Sequence, residues 1–171
     1  MKEKIRTLLL KENFEIKENF SFTAHYSDIF AFRKGRNFVF PQRDYFFFHD
    51  IDGRKIDSGL AGTLHEEARK YVNSEYKMPK AFRFTVPNIA SVFYSEGNIS
   101  GEMIELASKN TRSVIGGEIQ QIFFIDTGSK IFYSQGTNTV RAMVEGVSVR
   151  MKFNKIDPQN RAYYIIENLL R

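Results

Sequence analysis

The sequence contains no cysteine, no tryptophan and only four prolines among its 171 residues. Without cysteine the chain can form no disulfide, offer no thiol nucleophile and build no zinc ribbon, which fits a reducing compartment. No stretch reaches the roughly 18 consecutive apolar residues of a membrane span. The apolar run near the first residue is too short and too quickly followed by charges for a signal peptide. We therefore expect a cytoplasmic protein that contacts no membrane.

Aromatic residues are abundant, with 17 phenylalanines and 8 tyrosines. Such residues favour strands and a bulky core, since each buried ring removes a large area from water. Apolar residues make up 42% and charged residues 26% of the chain, close to globular averages, which argues against general disorder. The length suits about one domain, and no linker or repeat interrupts it. We expect residues 1–171 to form a single domain.

The spacing of apolar residues predicts both helices and strands. Helices are predicted over residues 2–13, 58–77, 98–109 and 157–171. Strands are predicted over residues 20–32, 37–40, 45–51, 81–86, 89–94 and 146–153, and a hairpin over 119–136. Turns are predicted at 33–36 and 41–44, and Ser58 is the predicted cap of the second helix.

These elements predict an α+β fold with a mostly antiparallel or mixed β-sheet and about four helices packed largely on one face. The segment "YFFFHDI" at residues 45–51 is apolar on both of its alternating sides. That pattern is typical of a strand covered on both faces, so the three consecutive phenylalanines need no ligand to explain them.

The first candidate for chemistry is His49 with Asp50 and Asp52, close to Asp44. An imidazole beside carboxylates can hold a divalent cation. The alternative is that aspartates at a strand end before Asp-Gly stabilise a turn, and we favour it. We assign no metal site and no cofactor. The catalytic candidates are Asp28, His49, Asp50 and Glu118.

Glu118 follows the pair Gly116 and Gly117. A double glycine lets the backbone approach a ligand, but phosphate-binding loops lead from a strand into a helix, whereas a strand follows here. We interpret the segment as a helix-to-strand turn or bulge. If a loop is functional, this one is the second choice, with Glu118 and Arg112.

The order helix, three strands, helix, strand, helix is similar to that of the PD-(D/E)XK nuclease core. Asp28 occupies a plausible position for the first acidic residue of that family. The resemblance implies two carboxylates that hold Mg²⁺ and a lysine that polarises the attacking water. The sequence departs from the pattern, because its only E-x-K matches are at 15–17, before Asp28, and at 75–77, on a predicted helix. The resemblance therefore concerns the fold alone.

The formal net charge is +5, and several cations stand near aromatic residues. That mixture is used for stacking and phosphate contacts with single-stranded nucleic acid, although charges at hairpin ends also protect sheet edges. The candidate nucleic-acid-binding residues are Arg33, Lys34, Arg36, Arg43, Arg150 and Lys152. If they share one face, we expect weak, salt-sensitive binding.

Our leading functional hypothesis is a non-enzymatic interaction or binding module that self-associates, because many apolar β-segments imply a sheet edge or face available for pairing. The alternatives are a metal-dependent, nuclease-like hydrolase and a weak single-stranded nucleic-acid binder. The sequence does not identify a substrate, a ligand or a strand order.

Overall fold

The computed structural model describes residues 1–37, 40–76, 86–109, 118–134 and 158–171. In chain order the elements are α1 (Lys2–Lys11), β1 (Glu15–Phe22), β2 (His25–Asn37), β3 (Phe40–Asp50), α2 (Ile51–Arg54), α3 (Ser58–Ser74), β4 (Val86–Ser95), α4 (Gly101–Lys109), β5 (Ile119–Asp126), β6 (Ile131–Tyr133) and α5 (Pro158–Leu170). The predicted strand at 146–153 lies outside the described residues, as does Arg112. Among the described helices, none has both the length and the apolar character that crossing a membrane requires.

All six described strands form one mixed sheet in the order β1-β2-β3-β4-β5-β6. The β1–β2, β2–β3 and β5–β6 pairs are antiparallel. The β3–β4 and β4–β5 pairs are parallel, and helices connect them. The predicted α+β fold with a mixed sheet is confirmed.

The central strands are apolar on both faces, and helices cover both. On one face, Phe46 and Phe48 pack with apolar residues of α1 and α5. On the other face, Phe47 packs with apolar residues of α2, α3 and α4. Helix α3 connects β3 to β4, and α4 connects β4 to β5. Because both connections have the same hand and step in the same direction along the sheet, α3 and α4 lie on the same face. The expected placement of helices largely on one face is thus corrected to three described helices on one side and two on the other.

The two predicted turns at 33–36 and 41–44 are instead parts of long strands. The β2–β3 pairing runs without interruption from Ile29 opposite Phe48 to Asn37 opposite Phe40. Pro41 lies opposite Arg36 of the antiparallel strand β2 but one residue before β3 begins to pair with β4 at Gln42, so it lies outside the described β3–β4 pairing. Long-range pairing has overridden the local turn signals of glycine and proline.

Helix α3 is capped by a different residue from the one predicted. The Leu60 amide donates to Asp57 Oδ1 over 2.7 Å, whereas the Ser58 hydroxyl donates to Glu102 on α4. Asp57 is in extended backbone and Ser58 is already helical, so the cap lies one residue earlier than expected. The last turn of α3 borders the groove described below.

Candidate functional site

Three of the four catalytic candidates, Asp28, His49 and Asp50, lie near the C-terminal end of β3. The Asp50 amide donates to Asp28 Oδ2 over 2.9 Å, and Arg54 Nη1 lies 3.7 Å from the same oxygen. Arg54 also donates to the Tyr26 carbonyl over 2.7 Å and approaches His49 Nδ1 at 3.1 Å. These contacts tie the carboxylate of Asp28 to the backbone and to Arg54 rather than leaving it open to a substrate.

His49 is enclosed in the core. Its ring stacks on Phe93 at a centroid distance of 4.9 Å, and its Nε2 has no hydrogen-bond partner in the part of the chain that is described. Burial, followed by the neighbouring positive charge of Arg54, lowers the pKa of His49 to about 3. The imidazole is therefore only weakly basic and is inaccessible to a substrate, which does not suit a general base.

Asp52 has a structural role at the same end of the strands. Its carboxylate accepts hydrogen bonds from the Ser95 hydroxyl at 2.8 Å, the Asn98 amide at 2.7 Å and the Glu96 backbone N–H at 2.9 Å. The hydrogen bond from Asn98, followed by those from Glu96 and Ser95, lowers the pKa of Asp52. The ionised side chain therefore fastens α2 to the end of β4.

Glu118, the fourth candidate, lies just before β5 and thus at the opposite end of the parallel strands. It accepts hydrogen bonds from Arg69 Nε at 2.7 Å, Asn73 Nδ2 at 2.9 Å and Gln120 Nε2 at 2.6 Å. The structure therefore does not bring Glu118 together with Asp28. Within the described ranges, no three or more histidine, aspartate or glutamate side chains form a group that could hold a metal ion.

A second histidine, His65, is also buried. His65 Nδ1 lies 2.8 Å from the Ser91 hydroxyl, in the core between α3 and β4. Burial lowers the pKa of His65 to about 4. Because Ser91 is fully buried, the pair cannot present a nucleophile to a substrate.

The predicted basic set is divided between the two faces of the sheet. Arg33 forms an ion pair of 3.0 Å with the fully buried Asp44, which Arg161 of α5 also contacts at 2.6 Å. Gln42 and Asn88 donate to the other oxygen of Asp44 at 2.9 and 3.1 Å. Arg33 is therefore a structural residue that helps to join β2, β3 and α5.

Lys34 and Arg43 lie on the other face, in an open groove of about 370 Å³ between the β1–β3 end of the sheet and the last turn of α3. We call it the basic aromatic groove, and its lining residues are Glu15, Ile16, Lys17, Phe30, Phe32, Lys34, Arg43, Tyr45, Tyr71 and Glu75. Phe30, Phe32 and Tyr45 supply aromatic side chains from the sheet, and Tyr71 supplies one from α3. The site thus combines aromatic rings with charges of both signs.

The three cations of the groove, Lys17, Lys34 and Arg43, each lie over an aromatic ring. Lys17 Nζ lies 5.4 Å from the Phe20 ring centroid, and Lys34 Nζ lies 5.8 Å from that of Phe32. Arg43 Cζ lies 5.0 Å from the Tyr76 centroid. Among the ion pairs of the described residues, none involves these three cations. No carboxylate of the described residues therefore neutralises their charge.

The sequence predicted Lys34 and Arg43 as part of a nucleic-acid-binding set, but not Lys17, Glu15 or the residues of α3. The Arg36 side chain is outside the described part of the structure, as are Arg150 and Lys152. The missing signal was the strand register, which places Glu15 opposite Phe32 and Lys17 opposite residue 30.

A comparison of the chain with family models, curated proteins and solved structures gave no match.

Proposed function

We propose that this protein is a non-enzymatic binding module that holds single-stranded nucleic acid in the basic aromatic groove. The observation that carries the proposal is the cluster of three cations, Lys17, Lys34 and Arg43, beside a floor of aromatic side chains. Single-strand binders use this combination, in which cations contact phosphates and rings stack on bases. The proposal retains the cytoplasmic location expected from the sequence.

Lys34 and Arg43 are directly opposite each other on the antiparallel strands β2 and β3. Like charges at such positions are separated by only about 4.5–5.5 Å between Cβ atoms and destabilise the sheet. A phosphate between them would relieve this repulsion and accept charge-assisted hydrogen bonds from both.

The aromatic part of the groove supports stacking. Phe32 is partly exposed, and its ring lies 4.9 Å from that of Tyr45. Tyr71 is partly exposed on the opposite wall. A base that stacks on such a ring gains about 1–3 kcal/mol, largely independent of its identity. A groove of about 370 Å³ is near the lower end of ligand sites, so it suits one or two nucleotides.

The test is fluorescence anisotropy with a labelled single-stranded oligonucleotide at several salt concentrations. Three phosphate contacts should give a slope of log affinity against log salt of about −2, at roughly −0.7 per phosphate. Replacing Lys17, Lys34 and Arg43 together by glutamine should abolish most of that slope and weaken binding at low salt.

A matched control removes the same charge from the other face of the sheet. Lys2, Lys4 and Lys11 are exposed on α1, so their joint replacement by glutamine should leave most of the affinity and slope unchanged. Absence of binding by the unmodified protein at low salt would overturn the proposal. Equal losses in both triple variants would also overturn it, because they would show attraction by net charge without a site.

The two other hypotheses have less support. The exposed large apolar side chains of the described residues are Met1, Leu10 and Tyr26, which lie at the two ends of α1 and the start of β2. Among the described residues, these three are too few to form a large apolar docking patch. The edge strand β1 carries the exposed charges Glu15 and Glu18, which disfavour pairing with another strand. The hydrolase alternative has no metal-binding group among the described residues in its favour.

A further inference from the structure

The basic aromatic groove also contains two carboxylates, Glu15 and Glu75, which a site for phosphate alone would exclude. Neither is within ion-pair distance of Lys17, Lys34 or Arg43, according to the contacts of the described residues. We propose that these carboxylates select guanine among the bases, an inference that rests on the proposed function. The groove would thus contact the anionic and the donor-bearing parts of one nucleotide separately.

The strand register places the necessary groups in order across the sheet. Glu15, Phe32 and Tyr45 form one row, since Glu15 is opposite Phe32 and Phe32 is opposite Tyr45. The next row, two residues further along β2, contains Lys34 and Arg43. Rows two residues apart are separated by about 6.7 Å, and neighbouring strands by about 4.8 Å. A base stacked on Phe32 would therefore have Glu15 at its edge while its phosphate lies toward Lys34 and Arg43.

The opposite wall also accepts hydrogen bonds. Glu75 is the C-cap of α3, and the last turn of α3 contains no basic residue. The C-terminal end of a helix carries a partial negative charge from its free carbonyl groups. Glu75 and this helix end therefore favour a ligand edge rich in N–H donors and disfavour a phosphate. The acceptor-rich wall lies across the groove from the cationic strands.

Guanine matches this arrangement better than the other bases. Its Watson–Crick edge presents two adjacent donors, N1–H and the N2 amino group, which fit the two oxygens of a carboxylate. Adenine and cytosine present an amino group beside an acceptor nitrogen, and uracil presents a single N–H between two acceptors. A carboxylate therefore forms a bidentate pair with guanine and meets at least one repulsive acceptor in each other base.

The experiment measures the affinity of the protein for four labelled heptanucleotides that have uridines at every position except the central one. The central base is guanine, adenine, cytosine or uracil. We expect at least about fivefold tighter binding of the guanine oligonucleotide, since a bidentate base contact gives discrimination of this order or more. The double variant Glu15→Gln/Glu75→Gln should lose this preference and should bind the all-uridine oligonucleotide as tightly as before or more tightly.

The control is the double variant Glu18→Gln/Glu96→Gln, which removes two exposed carboxylates outside the groove. It should retain the preference for guanine. Equal affinities for the four oligonucleotides, with salt-sensitive binding intact, would overturn the guanine inference and leave the proposed function standing. A preference that persists in the groove variant would also overturn it. No binding of any oligonucleotide would instead overturn the proposed function itself.

Discussion

Lowering the pH from 7 to 5 should destabilise this fold through two buried histidines. His49 and His65 are both almost fully buried beneath the helices on one face of the sheet. Burial lowers the pKa of His49 to about 3 and that of His65 to about 4, from an ordinary value of 6.5. The unfolded chain therefore binds more protons than the folded chain between pH 6.5 and these lower values. Stability is at its full value above pH 6.5 and is lost as the pH falls.

The expected loss follows from these pKa values. Each histidine contributes about 1.4 kcal/mol of destabilisation per pH unit below 6.5 until its folded pKa is reached. Between pH 7 and pH 5 this amounts to about 2 kcal/mol for each residue and about 4 kcal/mol for both. Such a loss is a large part of the roughly 5–15 kcal/mol that stabilises an ordinary domain. Carboxylates contribute little in this range, since most remain ionised above pH 5.

The measurement is the free energy of unfolding by urea, followed by far-ultraviolet circular dichroism at pH 7, 6 and 5. The variant His49→Phe keeps an aromatic ring against Phe93 but removes one titrating group, so its loss over this range should fall to about 2 kcal/mol. The control is His25→Gln, because His25 is partly exposed and bonded to Glu67 over 2.8 Å. That variant should retain most of the pH dependence.

Two results would refute the reasoning. A free energy of unfolding that stays constant from pH 7 to pH 5 would show that the histidines are accessible to protons in the folded state. A full loss of stability in His49→Phe, together with a reduced loss in His25→Gln, would show that His25 and not His49 causes the pH dependence.

Three further predictions test the fold. Asp44→Ala should lower the free energy of unfolding in urea by about 3–5 kcal/mol, because Arg33 and Arg161 lose the buried carboxylate that they share. The control is Glu167→Gln, which removes a more exposed ion pair, and an equally small loss in both variants would contradict the prediction. Asp57→Ala should cost about 1 kcal/mol and Ser58→Ala clearly less, since Asp57 caps α3; the reverse order would place the cap at Ser58. Phe46→Ala should cost about 3–5 kcal/mol by calorimetry or urea unfolding, and a smaller loss would mean that the core collapses around the cavity.

Much of the secondary structure could be predicted because its signals are local. The apolar spacing in residues 58–77 indicated α3, which spans Ser58–Ser74. The continuous apolar run around Phe47 indicated a strand covered on both faces, and it lies in β3 with helices on either side. The turn at Thr23 and Ala24 could not be predicted, because Thr23 has a backbone φ of 53° that a β-branched residue rarely adopts. Its position is fixed by the pairing of Phe22 with His25.

The candidate site could be predicted only in part, because its residues come together through long-range pairing. Lys34 and Arg43 are nine positions apart in the sequence, and nothing local shows that they are directly opposite. Glu15 and Tyr71 are brought to the same groove by the β1–β2 register and the direction of α3. The sequence also grouped Arg33 with Lys34, although neighbours on a strand point to opposite faces.

The strands that form the groove are held in register by the buried ion pair on the opposite face. Arg33 and Asp44 are directly opposite and attract each other, whereas the next pair, Lys34 and Arg43, are directly opposite and repel. A shift of one residue would turn the cations into the core and the groove residues away from α3. The attraction of the first pair, reinforced by Arg161, therefore opposes the repulsion of the second and keeps two cations together in the groove. An anion bound between Lys34 and Arg43 would remove that repulsion, so ligand binding should raise the stability of the β2–β3 pairing as well as fill the groove.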